Sequence, residues 1–72
     1  MNKQQLVKVF IVDDNTEAVK VLKNMLESSY SVTVVGTAGD AETAAEAIIN
    51  TEPDIIFLDI DLISRLNPPW LQ

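Results

Sequence analysis

The stretch Val7–Val12, VKVFIV, constrains this chain more than any other. It is apolar on both faces and rich in β-branched residues, so it reads as a strand buried on both sides, as in a parallel sheet. Such a strand needs a paired neighbour and cover for each face, and the chain has only 72 residues to supply them. One small domain is the upper bound, with a core that buries roughly 60% of the surface the unfolded chain exposes. Cysteine and histidine are absent. No disulfide or thiolate site can therefore reinforce that core, and the commonest general base and zinc ligand is missing.

The residues that follow supply the cover. In DDNTE, the Asp, Asn and Thr side chains all offer a helix N-cap, and Glu17 stands three residues after Asp14 in capping-box spacing. The sequence does not choose among these caps. A helix is predicted over Glu17–Ser28, with Ala18, Val21, Leu22, Met25 and Leu26 as its apolar stripe. Val32–Val35 predicts a second strand, with Gly36 and Gly39 in the loop behind it. Asp40 is the expected N-cap of a second helix, Ala41–Asn50, whose face of Ala41, Ala44, Ala45, Ile48 and Ile49 is small enough to lie close to a sheet. Pro53 stops that helix, and Asp54 leads into a third strand, Ile55–Leu58. The β-α-β-α-β order implies an α/β fold with right-handed crossovers and a parallel sheet. Residues 1–62 read as one unit. The last ten, ISRLNPPWLQ, read as a divergent tail, because Pro68-Pro69 forbids a regular helix or central strand and Trp70 has no evident core to enter.

Charge narrows the function. Eleven acidic against five basic residues give a net charge of −6, which argues against direct binding to a nucleic-acid backbone. No stretch approaches the roughly 20 apolar residues of a membrane span, and the apolar run at the N-terminus is too short for a signal peptide. The expected location is the cytoplasm.

Two acidic clusters fall where chemistry is expected. Ligands of an open parallel sheet bind at the carboxyl ends of its strands. Asp13 and Asp14 follow the first strand, and Asp59 follows the third. If those strands are neighbours, three carboxylates converge. Like charges that close repel unless a cation sits among them, and an all-oxygen site with few protein ligands suits Mg²⁺. Taken singly, Asp13-Asp14 reads equally as loop solvation and capping, and Asp59 as a solvated strand end. Their joint placement favours a site.

The segments VKVFIVDDNTEAVKVLKNMLE, VVGTAGDAETAAEAI and EPDIIFLDIDL together resemble the receiver domain of two-component response regulators, from about Val7 to Leu62. The texture of PDIIFLDIDL leans toward receivers of the LytTR-type subgroup. The resemblance implies a flavodoxin-like sheet of order 2-1-3 and two-component phosphorelay signalling rather than an enzyme. It implies Asp59 as the phospho-acceptor, Asp13 and Asp14 as Mg²⁺ ligands, and the Asp61 backbone carbonyl as completing the metal shell. The donor implied is a sensor histidine kinase.

The family's domain has about five strands and five helices, so the resemblance covers its N-terminal part. The expectation is a truncated receiver with impaired phosphorylation, lacking the hydroxyl residue of the fourth strand and the lysine of the fifth. The third strand would have a bare edge, open to self-association or to completion by another chain. Two other readings stand beside it. LDIDL also looks like the D-x-D of haloacid-dehalogenase-type phosphatases, using Asp59 and Asp61, although that motif leaves Asp13-Asp14 unexplained. A non-catalytic interaction fragment pairing through the exposed edge is the other.

Overall fold

The structure is a computed structural model that describes residues 5–62. The tail over residues 63–72, with Pro68-Pro69 and Trp70, lies outside the described residues. The element order is β1 (Val7–Val12), α1 (Thr16–Glu27), β2 (Val32–Ala38), α2 (Ala41–Thr51) and β3 (Ile55–Leu58). The three strands form one sheet in the order β2-β1-β3, and both pairings are parallel. This is the order that the resemblance implied, that of a truncated flavodoxin-like sheet.

β1 is central, paired on both edges and buried along its last four residues. Val9, Phe10, Ile11 and Val12 are each 1% exposed, and burying one such side chain contributes roughly 1.5–3 kcal/mol. Phe10 and Val12 point to the α2 side, where they form a cluster with Ala38, Ala44 and Leu62, flanked by Val35, Ala47 and Ile48. Ile11, of opposite parity, shares a hollow with Leu22 of α1 and Phe57 of β3. The two helices therefore cover opposite faces. β3 has the composition of an interior strand but is exposed along its whole length, from 38% at Phe57 to 51% at Leu58.

Several boundaries differ from expectation. Of the caps left open, Asn15 is the N-cap of α1, its side chain accepting from the Ala18 N–H at 3.1 Å. The half-buried line of α1 is Val19, Leu22 and Leu26. Ala18 is exposed, as are Val21 and Met25 at 57% and 66%, because the helix leans on β1 and β2 with the adjacent line of residues. On α2 the more buried residues are Ala41, Ala44, Ala47 and Ile48; Ala45 is exposed but lines a hollow with Val12, Ile56 and Leu58, while Ile49 is 74% exposed. That helix ends at Thr51. Glu52 is its cap in the left-handed region (φ 48°), donating its N–H to the Ile48 carbonyl at 2.9 Å. Pro53 supplies the reason, since the residue before a proline is driven out of the right-handed helical region.

Strand β2 runs three residues longer than predicted, and Gly36 lies inside it rather than in a loop. The register shifts between Val9 and Phe10, where β2 carries an extra residue, Val35, and Gly36 comes to lie opposite Phe10. A Cβ at Gly36 would fall 2.6 Å from Phe10 Cε2. This glycine is there to admit an aromatic ring, and its φ is not positive. At Gly39 a Cβ would meet nothing nearer than the Asp14 Cα at 3.8 Å.

Two outcomes follow from these local features. Gly36→Ala should destabilise the fold by about 1–3 kcal/mol through overpacking, whereas Gly39→Ala should stay within about 0.5 kcal/mol, as read from urea unfolding midpoints. The second concerns Asp40, the N-cap of α2, which accepts from the Thr43 N–H at 2.7 Å and the Thr43 hydroxyl at 3.0 Å. The Thr43 backbone bond, then its hydroxyl, holds the Asp40 carboxyl below its ordinary value of 3.8. A depressed folded pKa gives a contribution that is present above the unfolded value and lost as pH falls through the folded one. Acid titration followed by circular dichroism should show α2 loosening in that window, and Asp40→Asn, which keeps an acceptor, should flatten that limb.

Candidate metal centre

The carboxyl ends of β1 and β3 are brought side by side by their parallel pairing, with Val12 opposite Leu58. Each strand then continues into an acidic residue. The Asp13 N–H donates to the Ala38 carbonyl at 2.9 Å, tying the end of β1 to the end of β2. The Asp59 N–H donates to the Val12 carbonyl at 2.9 Å, extending the β1–β3 ladder by one step. Asp13 and Asp59 are half-buried and Asp14 is exposed. One carboxylate oxygen from each of Asp13, Asp14 and Asp59 lies within 4.8 Å of the others.

Local hydrogen bonds aim two of these groups. Asp13 Oδ1 accepts from the Asn15 N–H at 2.9 Å, a turn that also launches α1. Asp59 Oδ1 accepts from the Asp61 N–H at 3.1 Å. The chain is helical over residues 60–62, the Leu62 N–H donates to the Asp59 carbonyl at 3.1 Å, and Leu62 is buried against the core. Sequence reasoning singled out neither Asn15 nor Leu62 as a support of the site. The signal for Asn15 was present, since Asp-x-Asn behind a strand is a side-chain-to-backbone turn pattern. Leu62 carried none beyond being apolar.

Of the four site residues expected, Asp13, Asp14 and Asp59 meet, and the Asp61 carboxylate is not part of that group. Asp61 was expected to act through its backbone carbonyl, and its backbone N–H donates to Asp59 Oδ1. A D-x-D phosphatase would present the side chains of Asp59 and Asp61 together, so the geometry does not favour that reading. Lys8 lies at the far end of the sheet, where its Nζ reaches the Thr51 carbonyl at 3.5 Å. A hollow beside Asp13 and Asp59 is walled by Leu22, Phe57 and Leu58, which gives the acidic group a partly apolar flank.

Comparison with known proteins places the chain in a family. The response regulator receiver domain matches residues 9–65. The chain belongs to the response regulator receiver domain family. Among curated relatives, a protein-glutamate methylesterase/protein-glutamine glutaminase of Symbiobacterium thermophilum is 41% identical over 59 residues, covering 82% of this chain and 16% of the relative. The sensory transduction protein LytT of Bacillus cereus is 42% identical over 57 residues, covering 79% of this chain and 23% of the relative. The chain thus spans under a quarter of the length of these two proteins. Relatives of two kinds match at nearly equal identity, so the likeness lies in the receiver portion they share. The search of solved structures returned no significant match.

The receiver's acidic group has an electrostatic cost. Two unit charges 4.8 Å apart repel by about 0.9 kcal/mol at the dielectric of water and about 3.5 kcal/mol at an effective value of 20. Asp13→Asn removes one charge and keeps an oxygen for the Asn15 N–H. In chelator at low salt it should raise unfolding stability by about 1 kcal/mol, with the gain shrinking as salt is added. Chemical denaturation at two ionic strengths measures both.

Proposed function

We propose that this receiver stretch accepts a phosphoryl group from a phosphohistidine of a sensor histidine kinase onto Asp59, with Mg²⁺ held by Asp13, Asp14 and Asp59. The observation that carries the reading is the meeting of three carboxylates from two strand ends in a chain of the receiver family. All-oxygen donors of this kind fit Mg²⁺, which keeps several waters and takes few protein ligands. The Asp61 backbone carbonyl is the fourth proposed ligand. When bound, Mg²⁺ neutralises charge on the transferred phosphoryl oxygens.

The chain's own residues do the rest. The free oxygen of Asp59 attacks phosphorus, a new O–P bond forms, and the donor's N–P bond breaks with its electron pair staying on the imidazole. The Asp61 N–H holds the other oxygen, Oδ1, at 3.1 Å, so the attacking oxygen is fixed in direction. Burial of Leu62 keeps the Asp59 turn in place. In this reading Asp59 is consumed as acceptor in each event, so the stretch acts as a regulated phosphoprotein segment and not as a turnover enzyme.

The proposal is confined to residues 1–62 and to acceptance, with residues 63–72 outside it. The activities in the relatives' names belong to those proteins, of which the matched stretch is 16% in one case and 23% in the other. Among the described residues no helix is long and apolar enough to cross a membrane, and a cytoplasmic setting beside the kinase's phosphohistidine fits the proposal.

The test is direct. With Mg²⁺ and acetyl phosphate, intact mass spectrometry should show a single phosphoryl adduct that is labile to alkali. The adduct should vanish in Asp59→Ala and fall at least tenfold in chelator, a loss on the scale of a missing electrostatic stabiliser. Absence of the adduct in a sample shown to be folded would overturn phospho-acceptance. Phosphate release that depends on Asp61 would point instead to phosphatase chemistry.

A further inference from the structure

Among the described residues the three carboxylates straddle the shorter of the two strand pairings. Among the described residues β3 pairs with β1 alone, and its four side chains remain 38–51% exposed. β2, by contrast, is packed by β1 and by both helices. At its amino end β3 is closed onto β1 by two hydrogen bonds. The Asp54 N–H donates to the Lys8 carbonyl at 2.8 Å, and the Lys8 N–H donates to Asp54 Oδ2 at 2.8 Å. At its carboxyl end the ladder runs to Val12 opposite Leu58, and the Asp59 N–H donates to the Val12 carbonyl at 2.9 Å. There the charges of Asp13 and Asp14, on the β1 side, press against that of Asp59, on the β3 side. Repulsion at this spot acts along the direction that separates the two strands.

We infer that cation binding and docking of β3 onto β1 are a single linked equilibrium: the ion that serves phosphoryl acceptance is also the clasp that orders the third strand. The inference rests on the Mg²⁺ assignment proposed above. Ligands contributed from both sides of one junction turn a repulsive contact into a bridged one only when the strands are together, so binding free energy becomes docking free energy. Cation-free, β3 opens locally from its carboxyl end while the β1–β2 pair and its helices persist. Bound, β3 closes and carries Asp59 into position. The acceptor is thus assembled in the presence of the ion that its chemistry requires.

Native-state hydrogen exchange on the ¹⁵N-labelled chain tests this, with Mg²⁺ at about ten times its dissociation constant. Paramagnetic broadening by Mn²⁺ reports binding at Asp13, Asp14 and Asp59 independently. The amides of β3 and of Asp59 should exchange roughly tenfold more slowly with Mg²⁺, the factor expected from mass action at that concentration. The Val7 amide, bonded to the Ser31 carbonyl ahead of β2, should change far less. In Asp59→Asn without cation, β3 should be better protected than in the parent and should no longer respond to Mg²⁺. Asp13→Asn should behave alike and serves if the first variant does not fold. Broadening with equal slowing everywhere, or with none in β3, overturns the linkage and leaves the metal assignment standing. Absence of broadening at the three aspartates overturns both.

Discussion

Everything in this small fold hangs on the burial of β1. Its last four residues, Val9 to Val12, are each 1% exposed, and no other element approaches that. Because the strand alternates sides, Phe10 and Val12 gather α2, Ala38 and Leu62 on one face, while Ile11 meets Leu22 and Phe57 on the other. A strand buried on both faces must also pair on both edges, and β2 and β3 do so in parallel. With cores this small, each group fully removed from water is a sizeable share of a net stability of roughly 5–15 kcal/mol. The Gly36 contact shows how tight the fit is, since a single methyl at that position would collide with the Phe10 ring.

The site is a by-product of the same pairing carried one residue further. Parallel strands end on the same side of a sheet, so the first residues past β1 and β3 are neighbours whatever their identity. What this sequence adds is acid at each of those positions and a backbone N–H to orient two of them: Asn15 for Asp13 and Asp61 for Asp59. Each of those turns does a second job. The Asp13 turn hands the chain to the Asn15 cap of α1, and the Asp59 turn leads to Leu62 in the core. Fold and site are therefore joined through a few short hydrogen bonds. A change at Leu62 would reach Asp59 without touching it.

Much of this was legible beforehand, for identifiable reasons. The strands were readable because apolar runs of four to six residues bounded by Asp, Gly and Pro have few other meanings, and their 2-1-3 order came from the likeness to the receiver family. The convergence of Asp13, Asp14 and Asp59 followed once β1 and β3 were taken as neighbours. The errors share one origin, in that local pattern does not report what lies opposite. Gly36 looked like a loop residue because its reason for being glycine is Phe10, which is remote in sequence. Val21, Met25 and Ile49 looked inward because periodicity defines a stripe and not the line of it that the sheet touches. Among the several caps on offer, Asn15 was decided by the Asp13 turn that precedes it, a three-dimensional matter.

The placement of charge is the point at which this chain departs from what folding alone would choose. An apolar strand end followed by a neutral turn residue would satisfy the same backbone bonds without repulsion. Three carboxylates within 4.8 Å, beside a strand whose side chains are already 38–51% exposed, weaken the junction that the hydrophobic pattern is building. Local rules broken in this way, against the grain of every neighbouring choice, tend to mark positions held for function. The alternative, that the acids are ordinary solvated loop residues, accounts for Asp14, which is exposed. It does not account for Asp13 and Asp59, which are half-buried and each fixed by a backbone donor that limits their freedom to turn away. A carboxylate that is only solvated gains nothing from being held toward two others. One that must share a cation with them does.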